Sequence, residues 1–375
     1  MNRTRQALLL ALMFSSLLPM KSLAIPPDSR GGQFLPFKSF AAFATTPGTK
    51  ANEIILTSPE IRTRVHWDEL IASWNAELKP DGYLKIEVRA LYTNRMTKWF
   101  ALGLWSVDPA QHPRASVKGQ KDAEGNVDTD TLQLKEPTER VQVRVTLGST
   151  SDRKPKLKFL ALSVLDSKFK PAPRLSNRAA WGKLLDVTER SQMAYPNGDV
   201  LCSPTTTSML LSYWSQKLNR PGLDCDVPEV VKGVYDPAWG GTGNWVFNTA
   251  YAGSFRWMRA YTTRLSDVAE LEGFIARGIP VGLSVCYNRL RGKGREPSGH
   301  LVVLVGFTKT GDAIINDPGT SKNVRKTFPR ANLIDAWAYS KNAVYLVYPV
   351  NTPLPRDEAG HWESLTAKRL IEFAR

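Results

Sequence analysis

Residues 201–216 read LCSPTTTSMLLSYWSQ, and the fold of the C-terminal half turns on where this run places Cys202. Pro204 stands two positions after the cysteine, where a fixed φ and a missing N–H suit a first helical turn. Met209, Leu210, Tyr213, Trp214 and Leu218 then recur at helical spacing, which predicts a single apolar face. Cys202 therefore sits at a helix start. Unpaired N–H groups and the positive end of the helix dipole favour a thiolate there, and the thiolate is the reactive form of cysteine. The competing reading is a small buried packing residue.

A reactive thiol needs a base, and the chain of 375 residues has four histidines. His66 and His112 lie in a strand-rich N-terminal half, and His361 lies in a polar tail. His300 ends the loop RGKGREPSG and opens the apolar run LVVLVGF, a junction that can hold an imidazole at a cleft edge. The next strand, AIIND, returns through TKTGD, which is hairpin-turn chemistry. A turn centred between Thr310 and Gly311 sets Asp317 opposite Leu304, on the face of His300, with Asn316 on the other face. That leaves Asp317 about four strand positions from His300, roughly 13 Å, so contact calls for a bulge or a skewed turn. Cys202, His300 and Asp317 then supply nucleophile, base and orienting carboxylate. Upstream, the side-chain amide of Gln192 is placed to join the Cys202 N–H in an oxyanion hole.

The rest of the chain sets the context. Its length exceeds one ordinary core, which predicts two folded units. Hydrophobic residues make up 42% and charged residues 23%, with 25 scattered prolines; this is a globular composition without repeats or low-complexity tracts. MNRTRQALLLALMFSSLLPMKSLA has the cationic start, apolar core and terminal small residue of a signal peptide, with cleavage expected after Ala24. Its apolar run is too short to span a bilayer, so a secreted or periplasmic chain without a transmembrane anchor is expected. Loss of Arg3, Arg5 and Lys21 takes the formal charge from +15 to +12. No Lys/Arg-rich helix or aromatic-interleaved motif accompanies that charge, which argues against nucleic acid and for an anionic cell-envelope polymer as electrostatic partner. Of the three cysteines, Cys225 and Cys286 are candidates for a bridge, which would leave Cys202 free. Zinc-ligand spacings and phosphate-binding glycine loops are missing from the sequence, so neither metal nor cofactor is expected.

Organisation follows from pattern changes. The stretch 1–24 is the signal and 25–45 an N-terminal extension. EIILTS, YLKIEVRALY, WFALGLWS, TLQLK, RVQVRVTLGS and KLKFLALSVL predict an antiparallel β-sandwich over 46–168. Trp67, Trp74, Trp99 and Trp105 belong to it, either as packing residues or as sugar-stacking platforms. The Pro-rich, basic 169–175 is a linker, 176–350 is mixed α and β, and 351–375 is a polar tail. No candidate catalytic residue falls within 25–168, so that stretch is expected to be dispensable for cleavage of small peptides.

Gln192, C-x-P-T at 202–205, GHLVVLVGF at 299–307 and NDP at 316–318 together resemble the secreted relatives of the cysteine peptidases that remove double-glycine leaders from bacteriocins. The resemblance implies a papain-like fold, α+β in class, with a triad of Cys202, His300 and Asp317 and Gln192 as oxyanion donor. Family members carry Gly after the cysteine, whereas this chain has Ser203, which predicts a restricted substrate or lost activity. Asp267 and Glu270 have capping-box spacing. GGTGNWVFNTAYAG at 240–253 resembles a cleft-proximal segment, with no role assignable to Asn244 or Trp245. The expected function is an exported cysteine peptidase hydrolysing peptide bonds through a thioester acyl-enzyme. The alternatives are a peptidoglycan amidase or acyl transferase, and a catalytically silent envelope- or carbohydrate-binding protein.

Overall fold

The computed structural model describes residues 31–358 and 360–362; the expected signal peptide and the end of the tail lie outside them. The N-terminal region is all β. Its strands are β1 (Gly32–Phe37), β2 (Ala44–Pro47), β3 (Ile54–Thr57), β4 (Ile61–Glu77), β5 (Gly82–Ala90), β6 (Phe100–Ser106), β7 (Gly125–Asp128), β8 (Thr131–Ser149) and β9 (Lys156–Leu165). All pairings are antiparallel, and all nine strands join one hydrogen-bonded network in place of two separate sheets. The two longest strands explain this: β8 pairs with β3, β4, β5 and β7 along its length, and β4 shifts register against it on both sides of Trp67. Such irregularities bend a strand and let it pass from one layer to another.

The burial pattern of β4 records that passage. From Ile61 to Asp68 buried residues alternate with more exposed ones, as expected of a strand with one wet face. From Glu69 to Ala76 every residue is buried, because the second region covers the other face. The four tryptophans are packing residues. Trp67 and Trp74 are wholly buried, Trp105 nearly so, and the Trp99 ring is in contact with the guanidinium groups of Arg89 and Arg144 at 4.5 and 4.4 Å. The faces of Trp67, Trp74 and Trp105 are not available to a sugar.

The second region mixes helices and strands in the order α1 (Cys202–Leu218), α2 (Val227–Val234), α3 (Trp245–Ser254), β10 (Met258–Arg264), α4 (Val268–Ala276), β11 (Val281–Cys286), α5 (Tyr287–Leu290), β12 (Gly299–Phe307), β13 (Ala313–Asn316), β14 (Arg325–Phe328), α6 (Arg330–Ala338) and β15 (Ala343–Pro349). Its antiparallel sheet runs β10-β15-β11-β12-β13-β14. α1 begins at Cys202 as its sequence predicts, but the predicted single apolar face is replaced by burial all round, from Ser203 to Ser215. The helix lies between this sheet and helices α2 and α3. Several of its hydroxyl side chains make that tolerable because they find carbonyl acceptors: Thr205 bonds Leu201 O, Ser208 bonds Cys225 O and Ser215 bonds Arg220 O.

Three expectations about organisation meet a different structure. The extension before residue 46 contributes β1, which pairs along β9. The polar tail folds back, with Phe34 N–H bonded to His361 O at 2.8 Å and the Trp362 ring edge-on to Phe34. The two regions share one buried core. β10 is an edge strand of its sheet, and side chains of β4 satisfy its outward backbone: Asn75 pairs with both Ala260 N and O, and Ser73 accepts from Thr262 N at 3.0 Å. Glu69 makes a buried ion pair with Arg264 at 2.9 Å and a second with Lys341. Removing residues 25–168 would therefore uncover a sheet edge and the apolar core that the two regions share, which counts against the expected dispensability of that region.

Candidate active site

Four segments meet at the N-terminus of α1. Cys202 is its first residue and half-buried, and its thiol is near enough to His300 for the imidazole to act on its acidity. His300 is the second residue of β12, paired with Val285 of β11. Its Nε2 lies 2.9 Å from Asp317 Oδ1, which leaves Nδ1 for the sulfur.

Asp317 reaches the ring because the hairpin is irregular. β12 and β13 pair Phe307 with Ala313 and Gly306 with Ile314, then shift at Val305 so that Leu304 faces Ile315 and Val303 faces Asn316. Asp317 follows one residue later, on the Val302 side, closer to His300 than the regular hairpin allows. An even separation from His300 is kept, so the carboxylate stays on the imidazole face. Asn316 is turned to the other side, where it donates to Val187 O at 3.1 Å and accepts from Arg325 Nε at 3.0 Å.

Two residues at the site carry no sequence signal. Tyr287 donates its hydroxyl to Asp317 Oδ2 at 2.8 Å, and its ring lies 4.2 Å from that of His300. A backbone bond from Tyr287 N to Ser298 O closes the base of the intervening loop and brings α5 beside β12. Gly319 donates its N–H to Asp317 Oδ1 at 3.0 Å. A Cβ at Gly319 would sit 3.0–3.1 Å from the imidazole and the Tyr287 hydroxyl, so any larger residue would press on both rings.

Gln192 begins a short 3₁₀ turn, buried, with its N–H on Pro318 O at 2.9 Å. That bond ties it to the residue after Asp317. Its side-chain Oε1 is buried without a hydrogen-bond partner among the described residues, an exception of the kind that concentrates at working sites. Gly198 permits the turn, since a Cβ there would lie 2.3 Å from Gln192 O. Ser203 points away from the cleft. Its hydroxyl is buried and shares a 2.8 Å hydrogen bond with the Tyr345 hydroxyl, so it does not narrow access to the sulfur. Asn244 caps α3 by accepting from Phe247 N and donates to Asp236, while Trp245 N–H bonds Asp130 Oδ2 across the seam at 2.7 Å. Cys225 and Cys286 are free and buried, so the candidate bridge is not formed.

The electrostatics of the three central groups are coupled. Burial acts to raise the Cys202 thiol, but the hydrogen bond and charge of His300, with the N–H groups of Leu301 and Ser203, bring it below its ordinary value. Burial acts to lower His300; Asp317 and the thiolate outweigh it and push the imidazole up to about 9. Burial acts to raise Asp317, and His300, Tyr287 and Gly319 hold it below the usual carboxylate range. The thiol and imidazole shifts both run in the direction of a thiolate–imidazolium pair. By contrast, burial pushes the Cys225 thiol up to about 11.

Residues 48–165 match the model of the Peptidase C39 N-terminal domain, and residues 184–345 match the Peptidase_C39 like family. No curated protein matches the chain. The second match spans Gln192, Cys202, His300 and Asp317, and the first covers most of the nine-stranded region. The chain is a relative of the C39, double-glycine-peptidase-like cysteine peptidases.

Proposed function

We propose that the protein is an exported cysteine peptidase whose catalytic residues are Cys202, His300 and Asp317. The observation that carries this reading is His300 held between the Cys202 thiol and the Asp317 carboxylate, with thiol and imidazole acidities moved toward an ion pair. The Cys202 thiolate attacks the scissile carbonyl, and the oxyanion that develops is met by the Cys202 N–H and the Gln192 side-chain amide. The His300 imidazolium gives its proton to the departing amine, which leaves a thioester on Cys202. Water then attacks the thioester as neutral His300 takes its proton. Asp317 fixes the ring throughout and stabilises its charged form.

Export rests on the N-terminal signal pattern, with release after Ala24. N-terminal sequencing of the chain from the envelope or medium tests it, and an intact Met1 there would refute it. For the chemistry, the test is turnover of a peptide library by wild type and Cys202→Ala. The variant should keep its circular dichroism and thermal midpoint while losing hydrolysis about 10⁴-fold or more. Turnover retained within tenfold would exclude the mechanism. Parallel digestion of muropeptides distinguishes a peptidase from a peptidoglycan amidase.

A further inference from the structure

A groove of about 670 Å³ opens between the two regions, away from the cysteine, where the ends of β4 and β9 meet α2 and α3. Lys79, Arg153, Lys154 and Lys156 line it, and Glu77 is the one carboxylate in its lining. All four cations are exposed. None has a carboxylate within ion-pair distance among the described residues. A fifth cation lines the same groove from within. Arg114 is 4% exposed and gives its N–H groups to three carbonyl oxygens, of Tyr235, Ser106 and Lys232, with no ion pair among the described residues. Asp236 and Asp108 stand near enough to act on its charge and offset part of it. The excess of lining cations over the one lining carboxylate leaves the cleft positive, and low-dielectric walls focus that field.

We propose that this groove is a binding site for a linear polyanion carrying phosphate or carboxylate groups on successive units, separate from the site at Cys202. The alternation of Lys154 and Lys156 along an extended segment offers cations at regular intervals. Lys158 continues the series and is engaged with Ser254 O and Phe255 O at 3.1 and 3.2 Å, which locks the strand against the end of α3. An acidic peptide would gain most from strand addition, but Glu77 pairs with Lys156 on one side, and on the other β1 covers β9 from Leu160 onward, which leaves only the short edge 156–159 open at the groove. So short an edge offers a peptide little backbone pairing. Recognition falls to charge on a polymer that needs no backbone pairing.

The test uses full-length protein carrying Cys202→Ala and three probes, long-chain inorganic polyphosphate, polygalacturonate and poly-glutamate, in calorimetric titrations at 50 and 200 mM salt. Binding of either non-peptide polyanion is expected, weakening steeply with salt. Replacing Lys154 and Lys156 by alanine should weaken it about tenfold or more. The same exchange at Lys135 and Lys309, exposed and outside the groove, should change it less than about twofold. Equal losses in the two double variants, no binding of either polymer, or tighter binding of poly-glutamate would overturn the proposal, the last by showing that the groove takes an acidic protein segment. A match between polyphosphate alone or polygalacturonate alone and the groove variants identifies which anion the site selects.

Discussion

Two aspartates are almost wholly withdrawn from water, Asp317 beside the cysteine and Asp130 in the seam between the regions, yet their acidities move in opposite directions. Burial acts to raise both. At Asp317 the His300 ring is in direct contact, joined by Tyr287 and Gly319, and the carboxylate stays ionised. At Asp130 the contacts are neutral donors, Trp245 N–H at 2.7 Å and the Thr131 hydroxyl at 3.1 Å. Burial wins there and pushes the carboxyl up to about 6. Arg264 is near enough to oppose it, but its ion pair is with Glu69. Removal from water does not by itself make a carboxylate part of a reactive site; a touching cation decides whether its charge survives.

The seam also holds the fold, and its Glu69–Arg264 pair should give the largest change in stability. Glu69→Ala leaves Arg264 buried without its partner and should lower unfolding stability by about 3–5 kcal/mol. Thiol reactivity of the remaining folded protein should not change. Denaturant titration and iodoacetamide labelling of one sample separate the two readouts, and an unchanged midpoint would deny the seam its structural role.

Asp130 sharpens the contrast through pH. Its folded pKa, about 6, lies above the unfolded value of 3.8, so the folded state holds the proton longer. Stability from this group is complete below about 4 and is lost as pH rises through about 6, by up to about 3 kcal/mol. The thermal midpoint of wild type relative to Asp130→Asn should therefore fall across that window. A difference that does not vary between pH 4 and 7 would mean that Asp130 ionises normally. Asp317 has the opposite sign. Its lowered pKa adds stability above the unfolded value, and that stability disappears as pH falls further.

Ser203→Gly should have the smallest effect. It leaves the buried Tyr345 hydroxyl without its partner, at a cost of about 1–3 kcal/mol. Activity should remain close to wild type because the serine side chain faces the core. A gain of tenfold or more in kcat/KM would restore the sequence-based view that Ser203 restricts the site.

What could be read from the sequence was local. The helix start at Cys202, the loop-to-strand junction at His300 and the face of Asp317 each follow from a few neighbouring residues. The shift at Val305 that closes the gap is a hairpin detail to which no residue type commits. Tyr287 was not readable, because its contact with Asp317 exists only once β11, α5 and β12 are assembled. β4 escaped notice for a related reason: Glu69, Ser73 and Asn75 interrupt its apolar pattern, and these residues pair with Arg264, Thr262 and Ala260, nearly 200 positions away. A side chain buried against another region looks like a break in a strand until that region is in place. The same holds for His361 and Trp362, which read as a polar tail and lie in the shared core.

The pH dependence of Cys202 alkylation tests the central claim most directly. Iodoacetamide labelling across pH, with the modified cysteine identified by mass spectrometry, should find Cys202 reacting near pH 6, in the range of roughly 3.5–7.5 for activated thiols. Cys225, with its thiol pushed up to about 11, should stay unlabelled there. His300→Ala should move the Cys202 midpoint up toward about 8.5. Asp317→Asn should move it less, since the carboxylate acts on the ring and not on the sulfur. If Cys202 labels only in alkaline solution, and equally in wild type and His300→Ala, there is no thiolate–imidazolium pair and the proposed peptidase mechanism fails.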